Sequence, residues 1–276
     1  MTRPYEAKRI LITGGGRGLG RAIALEMARL GGTVTVAGRT AAPLEETVRA
    51  AAALGAAGYP VTVDLYDADQ ATRLVHRAGE LMGGLDILVN NAGGWGSTPG
   101  AVGPILDATV AGFDAVYQLN VRSPLFASVT AARTMISQGG GGCILNIASI
   151  DGLGPAPTEA LYGSAKAAVI NLTQTLAYEF GSHGIRVNAI APAVVETEMT
   201  APWLATPDDR ADRASFYPLG RVGQPADIAA AAAYLCSDAA GWVSGIVLPV
   251  TGGQHGTSDT FRWTRSHNPV PEPARF

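Results

Sequence analysis

Lysine is nearly missing from this chain of 276 residues, with Lys8 and Lys166 standing against 18 arginines. Cysteine also occurs only twice, at Cys143 and Cys236, and neither makes a metal-ligand spacing with the four histidines. That excludes a zinc-dependent dehydrogenase, and both cysteines read as small buried apolar side chains. Charged residues make up only 16% of the chain and hydrophobic ones 47%, which excludes a solvated, disordered chain and requires a generous core. The longest apolar run, Ile228 to Cys236, has nine residues, well short of the roughly 20 that a membrane-spanning helix needs. Twenty basic residues face 23 acidic ones, a net charge of −3, so the one-sided basic excess of a nucleic-acid or membrane-surface binder is lacking. The stretch Met1 to Lys8 carries Arg3, Glu6 and Lys8 without an apolar signal region, and a cytoplasmic location is expected. There is no G-x-S-x-G elbow, so a serine hydrolase is excluded as well.

What is present alternates. Arg9 to Thr13 reads as a strand, ends in glycines, and is followed by Leu19, Ile23, Leu25, Met27 and Leu30 at roughly helical spacing. Further strands are predicted at 33–37, 59–63, 85–89, 143–147, 185–190 and 246–250, with helices near 43–54, 68–82, 113–136, 158–180 and 226–236 between them. Strands separated by crossover helices pair in parallel, and continuous apolar runs suit strands covered on both faces. The expected fold is a single-domain α/β doubly wound sheet of Rossmann type, with about seven parallel strands, over residues 1–253. Two segments fall outside the alternation. Residues 193–223, with several prolines and the aromatic anchors Trp203 and Tyr217, read as a mobile lid. The polar tail 254–276 reads as a disordered tail or an arm on another subunit.

The first strand-to-helix turn is Thr13-Gly-Gly-Gly-Arg-Gly-Leu-Gly20. Gly14, Gly18 and Gly20 let the backbone approach a pyrophosphate, and the next helix offers unpaired N–H groups and a partial positive charge. With 35 glycines in the chain, spacing alone decides little; position in the first turn carries the assignment. NAD-selecting folds place an acidic residue about 20 positions on, at the end of the second strand. Here that strand ends Ala37-Gly38-Arg39, and Arg39 with Arg17 can grip a 2′-phosphate. NADP(H) is therefore expected, with NAD(H) as the alternative.

Tyr162 and Lys166 stand four apart on a predicted helix, so one face presents both to a single ligand. A lysine on a mostly apolar helix of an arginine-rich chain asks for a task that needs a compact ammonium. Within about 4 Å of a phenol, such an ammonium is worth on the order of 4 kcal/mol, enough to bring the phenol's pKa toward neutrality. The phenol would trade a proton with a substrate oxygen while the coenzyme trades a hydride, and Ser149, at the end of the fifth strand, would donate to the same oxygen.

Taken in order, TGGGRGLG at 13–20, Asp64, NNAG at 90–93, Asn120, Ser149 and YGSAK at 162–166 resemble the short-chain dehydrogenase/reductase family over residues 8–253. GRVGQPADIAAAAAYL at 220–235 looks most like the branch of 3-oxoacyl-[acyl-carrier-protein] reductases and related ketone reductases. The resemblance implies a catalytic tetrad of Asn120, Ser149, Tyr162 and Lys166, with Lys166 also holding the nicotinamide ribose and Asn120 orienting a relay water. It implies cofactor contacts at Gly14, Arg17, Gly18, Leu19, Gly20, Arg39, Asp64, Leu65, Asn91, Ala92, Gly93, Tyr162, Lys166, Val195 and Thr197. Trp95, Gly152 and Trp203 are candidate substrate residues. The family's Pro-Gly reads Pro192-Ala193 here and its Val-Asp-Gly-Gly reads Val250-Thr251-Gly252-Gly253, so a slightly shifted turn is expected after the sixth strand.

The implied function is NADPH-dependent reduction of a ketone or 3-oxoacyl group to a secondary alcohol. The alternatives are an NAD(P)-dependent alcohol or sugar dehydrogenase working oxidatively, and a non-catalytic binding protein on the same scaffold, against which the intact tetrad argues. The partner is a small carbonyl or alcohol substrate, with no metal, nucleic acid or membrane. The helices at 113–136 and 158–180 are more apolar than one sheet face requires, and in the family they pair across subunits, so a homotetramer or homodimer is expected.

Overall fold

The computed structural model describes residues 3–254. Seven parallel strands form one sheet in the order β3-β2-β1-β4-β5-β6-β7. They are β1 (Arg9–Thr13), β2 (Thr33–Gly38), β3 (Gly58–Thr62), β4 (Ile87–Asn90), β5 (Gly142–Ile147), β6 (Ile185–Pro192) and β7 (Val247–Val250). The main helices are α1 (Gly18–Arg29), α2 (Ala41–Ala53), α3 (Ala68–Met82), α4 (Val110–Tyr117), α5 (Ser123–Gln138), α6 (Ala160–Phe180), α7 (Pro207–Ala214) and α8 (Pro225–Cys236).

Successive strand side chains point to opposite faces, and both faces are covered. On β1, Ile10 and Ile12 pack with Ile23, Met27, Leu44 and Ile228 of α1, α2 and α8. The intervening Leu11 packs with Leu74, Ala131 and Leu176 of α3, α5 and α6. This is a doubly wound three-layer sheet. The strand order reverses between β1 and β4, and in such folds the crevice at the carboxyl ends of these strands is where ligands bind. Cys143 of β5 and Cys236 of α8, distant in sequence, are both buried and free and belong to the first of these two clusters.

The long helix predicted over 113–136 is broken. α4 passes into a π-helical segment, Gln118–Arg122, before α5 begins. Pro124 stands in the first turn of α5, where its missing N–H costs nothing. Asn120 lies within that π segment, buried, and donates from Nδ2 to Val116 O at 2.9 Å and to Gly94 O at 2.8 Å.

Residues 193–223 contain a 3₁₀ turn, Ala201–Leu204, and α7. A capping box between Thr206 and Asp209 starts α7, and Leu204, Tyr217 and Val222 form a small core of their own. A parallel bridge between Val195 and Gly223 closes the base of the segment. Of the tail 254–276, all but Gln254 lies outside the described residues.

Candidate active site

The glycine turn after β1 is fastened to the turn after β4 by one hydroxyl. Thr13 Oγ1 accepts from Asn91 N and Ala92 N, each at 3.0 Å, while Asn91 Nδ2 donates back to Thr13 O at 2.8 Å. Gly14 has φ +68, and a Cβ there would lie 2.7 Å from Asn91 Nδ2, so only glycine keeps the turn low and open. No side chain caps α1, and its first turn holds no acidic residue. Its first N–H groups therefore face the crevice with the positive end of the helix behind them. These residues fit the pyrophosphate of a dinucleotide.

Gly14, Arg17, Gly18, Leu19, Asn91, Ala92 and Gly93 line one end of a cavity of about 380 Å³. Trp95, Ser149, Tyr162, Lys166, Val195, Thr197 and Trp203 line the same cavity. Six of the residues singled out in the sequence stand elsewhere. Gly20 is buried behind the turn against Gly14 O and Asn91. Arg39 is exposed at the end of β2, its guanidinium 5.7 Å from the Tyr66 ring centroid. Asp64 is exposed and accepts from Tyr66 N at 3.1 Å, and Leu65 is buried against α3. Gly152 packs on α6, where a Cβ would lie 2.7 Å from the Lys166 carbonyl carbon. Asn120 acts one layer back, accepting Gly94 N at 3.0 Å and so holding the backbone beyond Gly93.

Ala193, where the family has glycine, is half-buried and lines the cavity. Its backbone lies outside the left-handed region, and its N–H donates to Val250 O at 3.3 Å, so the turn accepts a side chain. Thr251 is buried, and nothing in the structure explains why it replaces an aspartate.

α6 brings Tyr162 and Lys166 to one face, as the spacing requires. Lys166 Nζ lies 5.5 Å from the Tyr162 ring centroid and donates to Ile147 O at 2.8 Å. The electrostatics differ from the expectation of an ammonium that acidifies the phenol. Burial pushes the Tyr162 phenol well above its ordinary range, and the nearby carboxyls of Asp151 and Glu159 push it further, opposed by the Ser149 hydroxyl. Lys166 is itself brought down to about 8 by burial, with Asp151 opposing. Within the protein's own groups the phenol is thus kept protonated, because two carboxyls and desolvation act on it together.

Three residues of the cavity wall escaped the reading of the sequence. Asp151 Oδ2 accepts from Ser149 Oγ at 2.9 Å. Glu159 Oε2 accepts from the Trp95 indole N–H at 2.6 Å. Arg213, buried on α7, holds its guanidinium 5.7 Å from the Trp203 ring centroid. All three line the cavity. Burial raises Asp151, and it raises Glu159 to about 7 with help from Asp151, while Arg213 draws both down. Asp151 follows Ser149 by two residues and Glu159 precedes Tyr162 by one helical turn, a signal that was available. Arg213, on an arginine-rich chain, offered none.

A Rossmann-type sheet whose switch-point crevice joins a phosphate-binding glycine turn to a Ser-Tyr-Lys constellation defines a nicotinamide-dependent oxidoreductase. Residues 14–255 match the family model described as enoyl-(acyl carrier protein) reductase. The chain is 37% identical over 248 residues to 7alpha-hydroxysteroid dehydrogenase of Escherichia coli K12, covering 90% of this chain and 94% of that protein. Among solved structures, a 7α-hydroxysteroid dehydrogenase complexed with NADH and 7-oxo glycochenodeoxycholic acid superposes with TM-score 0.85 at 36% identity, covering 92% of this chain and 97% of the other. A putative 2-deoxy-D-gluconate 3-dehydrogenase from Agrobacterium tumefaciens with bound NADP superposes with TM-score 0.83 at 33% identity, covering 91% and 98%. The chain belongs to the short-chain dehydrogenase/reductase family. Among the described residues, no helix is long and apolar enough to cross a membrane.

Proposed function

We propose that this protein is an NADP(H)-preferring oxidoreductase that reduces a ketone or 3-oxoacyl group to a secondary alcohol. The observation that carries this reading is the convergence of Ser149, Tyr162 and Lys166 in the wall of the cavity that begins at the Gly14 to Gly18 turn. The coenzyme, when bound, supplies the hydride. Tyr162, protonated near neutrality, releases a proton from its phenol oxygen to the substrate oxygen. Ser149, next to that phenol, orients the substrate oxygen. Lys166, steadied by Ile147 O, places positive charge beside the phenol as the proton leaves.

The coenzyme preference rests on Arg39 and Arg17, both exposed, and on the lack of a carboxylate at the end of β2, where a ribose 2′-hydroxyl would seek one. The segment 193–223 is read as a lid because Trp203 and Arg213 reach from it into the cavity wall. A homotetramer or homodimer is part of the proposal. The test is a ketone panel offered with NADPH and with NADH, followed by the loss of reduced-nicotinamide absorbance. Turnover of several ketones, faster with NADPH, is expected; no turnover of any would overturn the reading.

A further inference from the structure

The substrate end of the cavity is polar in a particular way. Next to Tyr162 it holds two carboxyls, Asp151 and Glu159, one buried guanidinium, Arg213, and two indoles, Trp95 and Trp203. Each carboxyl is already fixed by a residue of the site, Asp151 through Ser149 Oγ and Glu159 through Trp95 Nε1. Each of those bonds uses one carboxylate oxygen and leaves the other for a ligand. The Trp95 ring stands 5.6 Å from that of Tyr162 and 4.9 Å from that of Trp203, so Glu159 also holds the apolar wall of the substrate space. Thr158, immediately before Glu159, adopts φ +66, a strained conformation for a β-branched residue that turns the chain into the start of α6.

We propose that Asp151 and Glu159 are specificity-determining residues that select a compact ketone carrying a hydroxyl group on the carbon beside the carbonyl. The inference rests on the reductase reading above and narrows it. The reacting oxygen, held at the Tyr162 phenol, would lie beside Ser149, whose hydroxyl already donates to Asp151 Oδ2 at 2.9 Å, so the Asp151 carboxyl stands close to it. A hydroxyl on the adjacent carbon lies about one hydrogen-bond length from the reacting oxygen, within reach of the same carboxyls. A purely apolar ketone would offer no donor to the remaining oxygen of either carboxyl, and a site built to receive a hydroxyl discriminates strongly against an analogue lacking it. An anionic substrate meets two carboxyls against one guanidinium, and an ammonium meets Arg213. A neutral hydroxyl donor satisfies the site without either conflict, while the indole faces cover its carbon skeleton.

The test uses the full-length enzyme with NADPH and three near-isosteric ketones: hydroxyacetone, butanone and aminoacetone. The expected result is a kcat/KM for hydroxyacetone about 10- to 100-fold above that for butanone, the worth of one hydrogen bond that butanone would leave unmade in a buried site. Glu159→Leu should collapse that ratio to within a fewfold of unity. Glu159→Gln, which keeps the shape and an acceptor oxygen, should retain part of it, and NADPH fluorescence titration identifies any variant that has failed to fold. Equal use of hydroxyacetone and butanone overturns the inference and leaves the reductase reading standing, as does a preference for aminoacetone. A ratio unchanged in both folded Glu159 variants removes Glu159 from the role. Failure to reduce these or any other ketone overturns the reductase reading itself.

Discussion

Lys166 Nζ points at the Ile147 carbonyl, 2.8 Å away, and lies 5.5 Å from the centre of the Tyr162 ring. The lysine is therefore anchored to the end of β5 and holds its charge over the Tyr162 ring. Because the phenol is protonated near neutrality, its removal takes away the proton source and little else. Tyr162→Phe should lower kcat for ketone reduction by about 10²- to 10⁴-fold, with the NADPH dissociation constant unchanged within about twofold, since a ring of the same shape remains. Steady-state rates and NADPH fluorescence titration measure the two quantities separately. Retained turnover would remove Tyr162 from its role.

Arg39 is exposed at the end of β2, with its guanidinium 5.7 Å from the Tyr66 ring centroid, and in the proposed NADP(H) preference it is the group that would meet the ribose phosphate. Arg39→Asp replaces a charged donor with a repelling carboxylate that suits a free hydroxyl. NADPH affinity should fall by about 10- to 100-fold, while NADH affinity holds or rises. Equal losses for both coenzymes would sink the preference.

Most of what positions these two residues was legible in the chain because it is local. The glycine turn, the Tyr-Lys spacing and the alternation of apolar runs each follow from a few neighbouring residues, and the seven strands and the helix Ala68–Met82 appear where that alternation predicts. What stayed hidden depends on distance. The break at Gln118–Arg122 arises because Asn120 bonds across to Gly94, a partner 26 positions away. The raised Tyr162 arises from its burial, with Asp151 and Glu159 folded beside it adding to the shift. Arg213 meets them only because α7 lies over the crevice. Local periodicity cannot register such neighbours.

Glu159 gives a pH signature with a definite sign. Its ordinary value of 4.5 rises to about 7 in the fold, so between those values the folded protein holds a proton that the unfolded chain has released. Stability then falls as pH rises through this window: the contribution of the neutral, buried carboxyl is complete below the ordinary value and lost once pH passes about 7. Glu159→Gln removes the titration while keeping an acceptor for Trp95. The variant's melting temperature relative to the natural protein should therefore climb between about pH 5 and pH 8, by a few degrees for a shift of this direction in a domain of this size. Asp151, Arg213 and Tyr162 face the same carboxyl, and Asp151 is itself raised by burial. A temperature difference that stays flat with pH would show that Glu159 is ionised throughout.

The outer faces of α4, α5 and α6 remain uncovered in the single chain. Val110 is 79% exposed and Tyr178 91%, Phe113 and Phe126 are also exposed, and Phe113 stacks on Tyr117 with ring centroids 4.2 Å apart. Apolar side chains at separate places on a surface need no partner, but neighbouring exposed aromatics on adjoining helices gain when a second copy covers them. In sedimentation, the protein should run as two or four chains. Phe113→Glu combined with Phe126→Glu places unpaired charge in the covered face, at a cost that a buried interface does not tolerate, and should shift the population toward single chains. Because both side chains stand away from the cavity lining, NADPH binding should survive the change if the subunit folds alone. A natural protein that sediments as one chain at every concentration would refute the assembly.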